Sequence, residues 1–269
     1  MNKNLTIKIA GLYGEIQTKD IQISSYLKSK FTLFLAGRRR TDFKIEIIGR
    51  HPSFDEKSLP RLIFKDESFI LCSEKDRALI LGTLWPKAMS GKICVFKDKP
   101  LLLHSVLLSF VFFLEHSNGL ILHASAAYKN GEGFIFPGPA NAGKSTIIKQ
   151  IKRLSPLAEE WIAVKKEGSA FFIWNIPYQN EGNMRKKVKC ILFPEKGRQT
   201  SFKRLNPHQA TKKLLSNCLF STMHPETVNG VLERVTEMAK QVSCYDFEFP
   251  LHACLDREIL SVKNFEMRV

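Results

Sequence analysis

The residues of this sequence that most clearly predict chemistry are the eight from Gly138 to Ser145. They read Gly-Pro-Ala-Asn-Ala-Gly-Lys-Ser and fit the phosphate-loop pattern GxxxxGK[ST] without exception. The two glycines let the backbone fold around a phosphate, so that successive N–H groups point at its oxygens. The lysine supplies a full positive charge, and the serine hydroxyl can ligate Mg²⁺. The motif therefore predicts a site that binds nucleotide phosphates.

Within this motif, Lys144 is expected to contact the β- and γ-phosphates, and Ser145 to contact Mg²⁺. The other predicted contacts lie in the loop or in the first turn of the helix that follows it: Gly138, Asn141, Ala142, Gly143 and Thr146. An ordinary glycine-rich turn is the alternative interpretation. A strand-like segment before the loop and a helical one after it favour the phosphate site.

Two adjacent carboxylates, Glu159 and Glu160, follow about 15 residues beyond Lys144. One could hold Mg²⁺, a role for which we consider Glu159, while the other takes the proton from an attacking hydroxyl. A solvated pair of glutamates at the start of a strand is the alternative. The chain has no NKxD motif, no LSGGQ-type signature and no hydrophobic strand ending in a Walker-B aspartate, which argues against a GTPase switch or an ABC ATPase.

The elements that must position these residues show a mixed α/β order. Alternating and apolar runs predict strands over 120–127, 133–136 and 188–193, with Asn130-Gly131 as a hairpin turn between the first two. A helix is predicted over 146–154, followed by a strand hairpin about Glu167-Gly168. Further along, Asn206-Pro207 and Pro225 are expected to open helices, and Tyr245, Phe247 and Phe249 to alternate in a late strand.

The N-terminal part of the chain reads as short strands and predicts a β-rich subdomain over residues 1–98. A helix opened by Asp98-Lys99-Pro100 then begins the predicted nucleotide-binding catalytic domain, residues 99–269. The fold class is therefore expected to be α/β, with mixed rather than strictly alternating α and β elements.

The charge of the chain is +15, and it is unevenly distributed. Ten lysines and arginines against one acid lie between Arg185 and Lys213, so this stretch holds net +9. Such an excess suggests nucleic acid first. Because the sequence has no helix-turn-helix, RRM-like or zinc-finger signature, we expect no nucleic-acid partner. The stretch is interpreted as a guide for phosphates and acidic acceptors, with a solvated basic face as the alternative.

The sequence predicts a cytoplasmic protein that does not span a membrane, because the patterns of a membrane span and of a signal peptide are absent. The longest apolar run, 101–114, is shorter than the roughly 18–20 residues of a membrane span and ends at Glu115. The first residues lead straight into a strand-like pattern, so no signal peptide is expected. Six scattered cysteines without a CxxC pair favour reduced, buried thiols and a cytoplasmic protein.

Several segments around the loop occur together in a known family. They are Leu122-His123-Ala124-Ser125-Ala126, Gly131-Glu132-Gly133, the phosphate loop, the acidic pair, Arg185 ahead of a strand, and the helix opening Leu205-Asn206-Pro207-His208-Gln209-Ala210. On these segments, residues 120–262 resemble the C-terminal domain of HPr kinase/phosphorylase. The closer resemblance is to the HPr-kinase-like serine kinases of peptide-modification gene clusters.

The resemblance implies a fold related to phosphoenolpyruvate carboxykinases, with the loop on a mixed sheet. It implies ATP or GTP and Mg²⁺ as cofactors, a serine-bearing peptide or small protein as acceptor, and self-association into a homo-oligomer. It also places His123 beside the transferring phosphoryl group and makes Arg185 a nucleotide contact. Glu159 and Glu160 stand where the family has Asp-Asp, so each carboxylate lies one methylene farther out.

The function predicted from the sequence is transfer of a nucleotide γ-phosphoryl group to a serine hydroxyl. Two alternatives stay open. The longer acidic side chains are compatible with a nucleotide-binding carrier or regulator that catalyses little. The acceptor could also be a small hydroxyl metabolite such as free serine.

Overall fold

The computed structural model describes residues 3–37, 40–48, 63–65, 68–72, 79–85, 88–95, 99–177, 182–220, 225–251 and 255–262. The chain forms two compact units. The first comprises Met1–Ser117 and Phe220–Val228, and the second comprises Asn118–Leu219 and Asn229–Val269.

In its described residues, the first unit contains a seven-stranded sheet together with helices. Its elements are β1 (Lys3–Ile9), β2 (Leu12–Thr18), α1 (Ile21–Lys30), β3 (Phe43–Ile48), β4 (Ile63–Lys65), β5 (Ser68–Cys72), β6 (Leu79–Trp85), β7 (Ser90–Val95) and α2 (Lys99–His116). The strand order is β1-β2-β3-β7-β6-β5-β4, with β2, β3 and β7 parallel. The β-rich character expected of this region is confirmed, and in β3 the alternating residues Phe43, Ile45 and Ile47 are buried.

Helix α2 packs within the first unit, where the rings of Phe110 and Phe113 lie 6.3 and 5.0 Å from that of Phe43. The compact units therefore divide after Ser117, whereas the sequence pattern placed a domain boundary at 98. Asp98, expected to open this helix, lies outside the described residues. Among the described helices, none is long and apolar enough to cross a membrane.

The second unit contains the phosphate-loop motif. Its elements are β8 (Gly119–Lys129), β9 (Glu132–Pro137), α3 (Lys144–Gln150), β10 (Ser155–Ala158), β11 (Trp161–Glu167), β12 (Ala170–Asn175), β13 (Arg185–Lys196), β14 (Ser201–Arg204), α4 (Pro207–Leu215), β15 (Cys218–Leu219), the part of α5 (Pro225–Gln241) from Asn229 onward, β16 (Ser243–Phe249) and α6 (Asp256–Leu260). The mixed α/β class is thus observed, on a mixed sheet.

Five strands of this unit pair in a closed ring: β8 with β11, β11 with β12, β12 with β13, β13 with β9, and β9 with β8. Strands β16 and β14 extend the sheet beyond β13, and β10 and β15 flank β8. The β13 pairings with β9 and β16 are parallel, and the others in this unit are antiparallel. Asn130 and Gly131, with φ of 52° and 81°, form the predicted turn from β8 to β9.

Helix α3 lies on an apolar core. Ile147, Ile148 and Ile151 pack with Phe134 of β9 and Phe247 of β16 in one buried cluster. The helix ends at Gln150, four residues before the predicted end at 154. The helix ends early because of Asp256, a residue distant in sequence. Both of its carboxylate oxygens accept hydrogen bonds from backbone N–H groups just after the helix.

Asp256 accepts from the backbone N–H groups of Lys152 and Arg153 at 2.7 and 2.6 Å and is almost completely buried. These two hydrogen bonds take the place of the i→i−4 hydrogen bonds that both N–H groups would make in a longer helix. Two later predictions are confirmed: Asn206 caps α4 with Pro207 in its first turn, and Tyr245, Phe247 and Phe249 are all buried in β16.

Candidate functional site

The phosphate loop leaves the sheet beside the middle of β8. Strand β9 pairs with β8 as far as Pro137, opposite Ala124, and Gly138 then donates its N–H to the carbonyl of His123 at 3.3 Å. Asn141 and Gly143 take left-handed backbone conformations with φ of 67° and 97°. The loop therefore turns back sharply before α3 begins.

Gly143 is a position in the loop where a side chain cannot be accommodated. A Cβ there would lie 2.6 Å from Cζ of Phe249, and the positive φ adds strain for any L side chain. Gly143 also caps α3, and no side chain caps that helix end. The N–H groups of its first turn are thus left to backbone, solvent or a bound anion.

Lys144 brings a charged group into the interior of the loop. Its side chain is 7% exposed, and its Nζ donates to the carbonyl oxygens of Gly138 and Pro139 at 2.6 and 2.8 Å. Burial lowers the pKa of Lys144, and the negative charge of Glu160 opposes that effect. Within the described part of the chain, no carboxylate lies within 4.0 Å of this ammonium group, so an anion at the loop would supply the missing countercharge.

His123 lies on β8 where the loop departs. Its backbone N–H donates to the carbonyl of Asn217 at 2.7 Å, and its ring lies 4.8 Å from that of Trp161 on β11. Burial lowers the pKa of His123, the positive charge of Lys144 lowers it further, and Glu160 raises it. The imidazole is therefore biased toward its neutral form beside the lysine.

The acidic pair occupies the short connection between β10 and β11, opposite Ser125 and Ala124 of β8. Ala124 donates its N–H to the carbonyl of Glu160 at 3.0 Å, and Ser125 donates its hydroxyl to the carbonyl of Glu159 at 2.6 Å. Both glutamate side chains are exposed. Because the charge of Glu160 acts on both His123 and Lys144, Glu160 is a carboxylate that the structure brings into the site.

The remaining loop residues have different environments. Ala142 is half-buried and donates its N–H to the carbonyl of Pro139 at 3.3 Å. Asn141 and Ser145 are exposed, and Thr146 is half-buried in the first turn of α3. The hydroxyl of Ser145 is thus accessible at the start of the helix, where the motif predicts a magnesium ligand.

Arg185 is a predicted nucleotide contact that the structure does not bring to the loop. It begins β13, where its guanidinium contacts Glu167 at 2.5 Å and lies 3.5 Å from the centre of the Phe172 ring. The β13 residue beside the loop is Pro194, whose Cγ is 3.6 Å from the position of a Cβ on Gly138. Arg185 and Pro194 are separated by nine positions, roughly 30 Å along an extended strand.

Three residues near the site were not assigned from the sequence. Ser125 belongs to a noted motif, but its bond to the chain at Glu159 depends on strand register. Lys196 belongs to the basic stretch, in which nothing distinguishes it from its neighbours. Asp256 follows α3 by about a hundred residues, and no local pattern indicates its contact with Lys152 and Arg153.

The groups present fit a magnesium–nucleotide complex better than a metal ion alone. The described residues contain no cluster of three His, Cys, Asp or Glu side chains placed to hold a metal. Mg²⁺ in nucleotide sites takes one or two protein oxygens together with phosphate oxygens and water. The hydroxyl of Ser145 and the carboxylate of Glu159 would be the protein oxygens, and Lys144 would complement the phosphates.

The chain was compared with protein families, curated proteins and solved structures. No family model matches the sequence, and no curated protein matches it. Among solved structures, a match is found to the Hpr(Ser) kinase/phosphatase from Coxiella burnetii. It has 13% sequence identity, covers 55% of this chain and 97% of that chain, and has a TM-score of 0.30.

Proposed function

We propose that this protein is a nucleotide- and Mg²⁺-dependent kinase that transfers the γ-phosphoryl group to a serine hydroxyl of a peptide or small protein. The observation that carries the proposal is the buried Lys144 ammonium in the phosphate loop, whose pKa the charge of Glu160 raises and whose own charge lowers the pKa of His123. A cation, an imidazole and a carboxylate beside one anion site are the groups that phosphoryl transfer requires.

In this proposal the loop amides and Lys144 hold the phosphates. The Ser145 hydroxyl and one acidic side chain would hold Mg²⁺, which neutralises charge on the phosphate oxygens. Glu160 accepts the proton of the serine hydroxyl as the new oxygen–phosphorus bond forms and the bond from the γ-phosphorus to the bridging oxygen breaks. The nucleoside diphosphate leaves with the electron pair of the broken bond.

His123 has a second role in the proposal. Because its pKa is lowered, it is neutral near pH 7 and adds no positive charge beside Lys144. A neutral imidazole can donate one hydrogen bond to the transferring phosphoryl group and accept another from a neighbour. The resemblance to HPr-kinase-like serine kinases likewise implies that His123 lies beside the transferring phosphoryl group.

The main-chain position of Glu159 and Glu160 affects whether two glutamates can support phosphoryl transfer. The hydrogen bonds from Ala124 and Ser125 fix the backbone at 160 and 159, so the extra methylene of glutamate is added on a defined main chain. Both side chains are exposed and can change rotamer. The longer side chains are therefore compatible with transfer, provided that the acceptor hydroxyl lies correspondingly farther from β8.

The test is incubation of the purified chain with Mg²⁺, ATP or GTP and candidate acceptors. The acceptors are serine-containing peptides, the same peptides with alanine for serine, and free serine as the metabolite alternative. We expect a gain of one phosphoryl group, by mass spectrometry, on serine peptides only. Transfer that persists in Lys144→Ala would overturn the assignment of the loop.

A second function is favoured by one specific observation, the presence of two glutamates where the resembling family has two aspartates. The protein would then bind nucleotide and act as a carrier or regulator. Calorimetry that shows Mg²⁺-dependent nucleotide binding, with no transfer to any acceptor, supports this second function over the first.

A further inference from the structure

The basic stretch from Arg185 to Lys213 is divided by its contacts into neutralised and unneutralised parts. Near its start, Arg185 contacts Glu167, and Lys189 contacts Glu132 at 2.7 Å. At its end, Lys213 contacts Asp246 and also Glu195, the latter at 3.0 Å. The charges of Arg185, Lys189 and Lys213 are therefore paired with carboxylates of the sheet, and these residues do not form an unpaired positive surface.

Lys196 lies differently, at the end of β13 that runs beside the phosphate loop. Its Cε is 3.7 Å from the point where a Cβ would stand on Gly143, the residue that caps α3. The ammonium nitrogen is one bond farther, about 1.5 Å, so it lies within roughly 5 Å of that point. Lys196 is exposed, so its ammonium group is accessible to a ligand.

The nearby carboxylates have other partners. Glu195 accepts from Lys213, and Glu248 accepts from the hydroxyl of Ser201 at 3.3 Å while packing against Gly197. In the described ranges, no carboxylate lies within 4.0 Å of the Lys196 ammonium group. Its charge is therefore available to an anion at the loop.

We infer that Lys196 is a second phosphate-binding lysine, which contacts the phosphate chain of a nucleotide held by Gly138–Ser145. The inference rests on the proposed nucleotide binding, although not on phosphoryl transfer. A nucleoside triphosphate carries more negative charge than Lys144 alone neutralises. The two ammonium groups would approach the phosphate chain from different elements, Lys144 from the loop helix and Lys196 from the end of β13.

Two substitutions separate charge from packing. Lys196→Met keeps most of the aliphatic stem over Gly143 and removes the charge, whereas Lys196→Arg keeps the charge. Lys187→Met, an exposed lysine near the other end of β13, is the matched control for loss of one positive charge. Lys144→Met reports on the loop itself.

The measurement is isothermal calorimetry with Mg-ATP and with inorganic triphosphate, at low and at physiological salt. We expect Lys196→Met to bind both ligands about tenfold more weakly, which is the size of a lost charged hydrogen bond. Its affinity should also fall less steeply with salt than that of wild type. Lys196→Arg should bind within about threefold of wild type, and Lys187→Met should match it.

Unchanged affinity in Lys196→Met would overturn the inference, and so would equal weakening in the methionine and arginine variants, which would indicate packing. If wild type and Lys187→Met bind, Lys144→Met does not, and Lys196→Met binds like wild type, only this inference fails. If wild type binds neither ligand, the proposed function fails and the inference fails with it.

Discussion

Ser125 donates its hydroxyl hydrogen to the backbone carbonyl of Glu159 across 2.6 Å, and the serine is completely buried. Ser125 lies two positions after His123 on β8, so the two side chains belong to the same face of that strand. The strand that carries the histidine thus also anchors the connection that carries the acidic pair. The position of Glu160 relative to His123 therefore depends on β8.

The anchor can be removed with Ser125→Ala. The Glu159 carbonyl then loses a buried partner, so we expect the free energy of unfolding to fall by about 1 kcal/mol. Because the acidic pair becomes less well positioned, kcat for phosphoryl transfer should fall further than this stability loss explains, with KM for nucleotide little changed. Urea unfolding and steady-state kinetics measure the two effects.

Ser109→Ala is the matched control, because Ser109 is a buried serine whose hydroxyl donates to the carbonyl of Ser105 at 2.9 Å in α2 of the first unit. It should lose similar stability and keep kcat. A Ser125→Ala protein with wild-type kcat would contradict a positioning role for the serine.

Substitutions of Glu159 and Glu160 are expected to lower the rate of phosphoryl transfer by different amounts. Glu160→Gln removes the carboxylate that acts on both His123 and Lys144, so transfer should fall by at least about a hundredfold. Nucleotide binding should persist, as calorimetry would show. Glu159→Gln should lower the rate less, and Glu160→Asp should retain more activity than Glu160→Gln. Equal losses in the two glutamine variants would show that the pair acts as a unit.

Lys144→Met removes a buried charge while keeping similar volume. We expect nucleotide affinity to fall at least about tenfold. The free energy of unfolding should change by less than about 1 kcal/mol, because removal of the desolvated charge offsets the loss of its hydrogen bonds to the carbonyls of Gly138 and Pro139. Calorimetry and urea unfolding test both statements. Lys149→Met, exposed in the last turn of α3, is the control, and a less stable Lys144→Met protein would argue for a structural lysine.

His123 predicts a dependence of stability on pH. Its folded pKa lies below the value of 6.5 for the unfolded chain, so between the two values the unfolded chain binds more protons. The histidine's contribution is complete above pH 6.5 and is lost as the pH falls toward the folded pKa. His123→Gln should therefore lose less stability than wild type between about pH 7.5 and pH 5.5, measured by urea unfolding. His208→Gln, exposed on α4, controls for loss of an imidazole, and identical slopes in wild type and His123→Gln would contradict the prediction.

Asp256→Asn weakens the acceptor for the N–H groups of Lys152 and Arg153. We expect a loss of about 2 kcal/mol in unfolding free energy, typical of hydrogen bonds to a charged group. Amide hydrogen exchange at 152 and 153 should accelerate, and nucleotide affinity should fall because the end of the loop helix is less restrained. Glu233→Gln on the exposed face of α5 is the control, and unchanged exchange at both amides would count against the assignment.

Features set by neighbouring residues were predictable from the sequence. The motif residues of the loop are contiguous, and its glycines favour the observed backbone, so the motif alone predicted a loop between a strand and a helix. Asn130-Gly131 and Asn206-Pro207 were found for the same reason, since a turn and a helix cap are formed within a few residues. Helix α1 was missed, because it buries only Leu27 and its clearest local signal is the Asp20 cap.

Features set by distant residues were not predictable. The early end of α3 depends on Asp256, and the sequence near the helix contains no sign of it. The position of Arg185 depends on the pairing of β12 with β13, where it lies opposite Trp174. The charge of the basic stretch was visible, but the ion pairs of Arg185, Lys189 and Lys213 and the position of Lys196 beside the loop depend on which residues the fold brings near them.

The closed ring of strands has a consequence for the order in which the protein is made. Strand β9 leads into the phosphate loop and has β8 beside it early, but its second neighbour, β13, ends only at Lys196. The Asp256 clamp on α3 comes another sixty residues later. A growing chain thus carries the complete loop motif long before it can build the loop's supports. A ribosome-bound fragment that ends before β13 therefore has the loop motif without the strand and the carboxylate that support it.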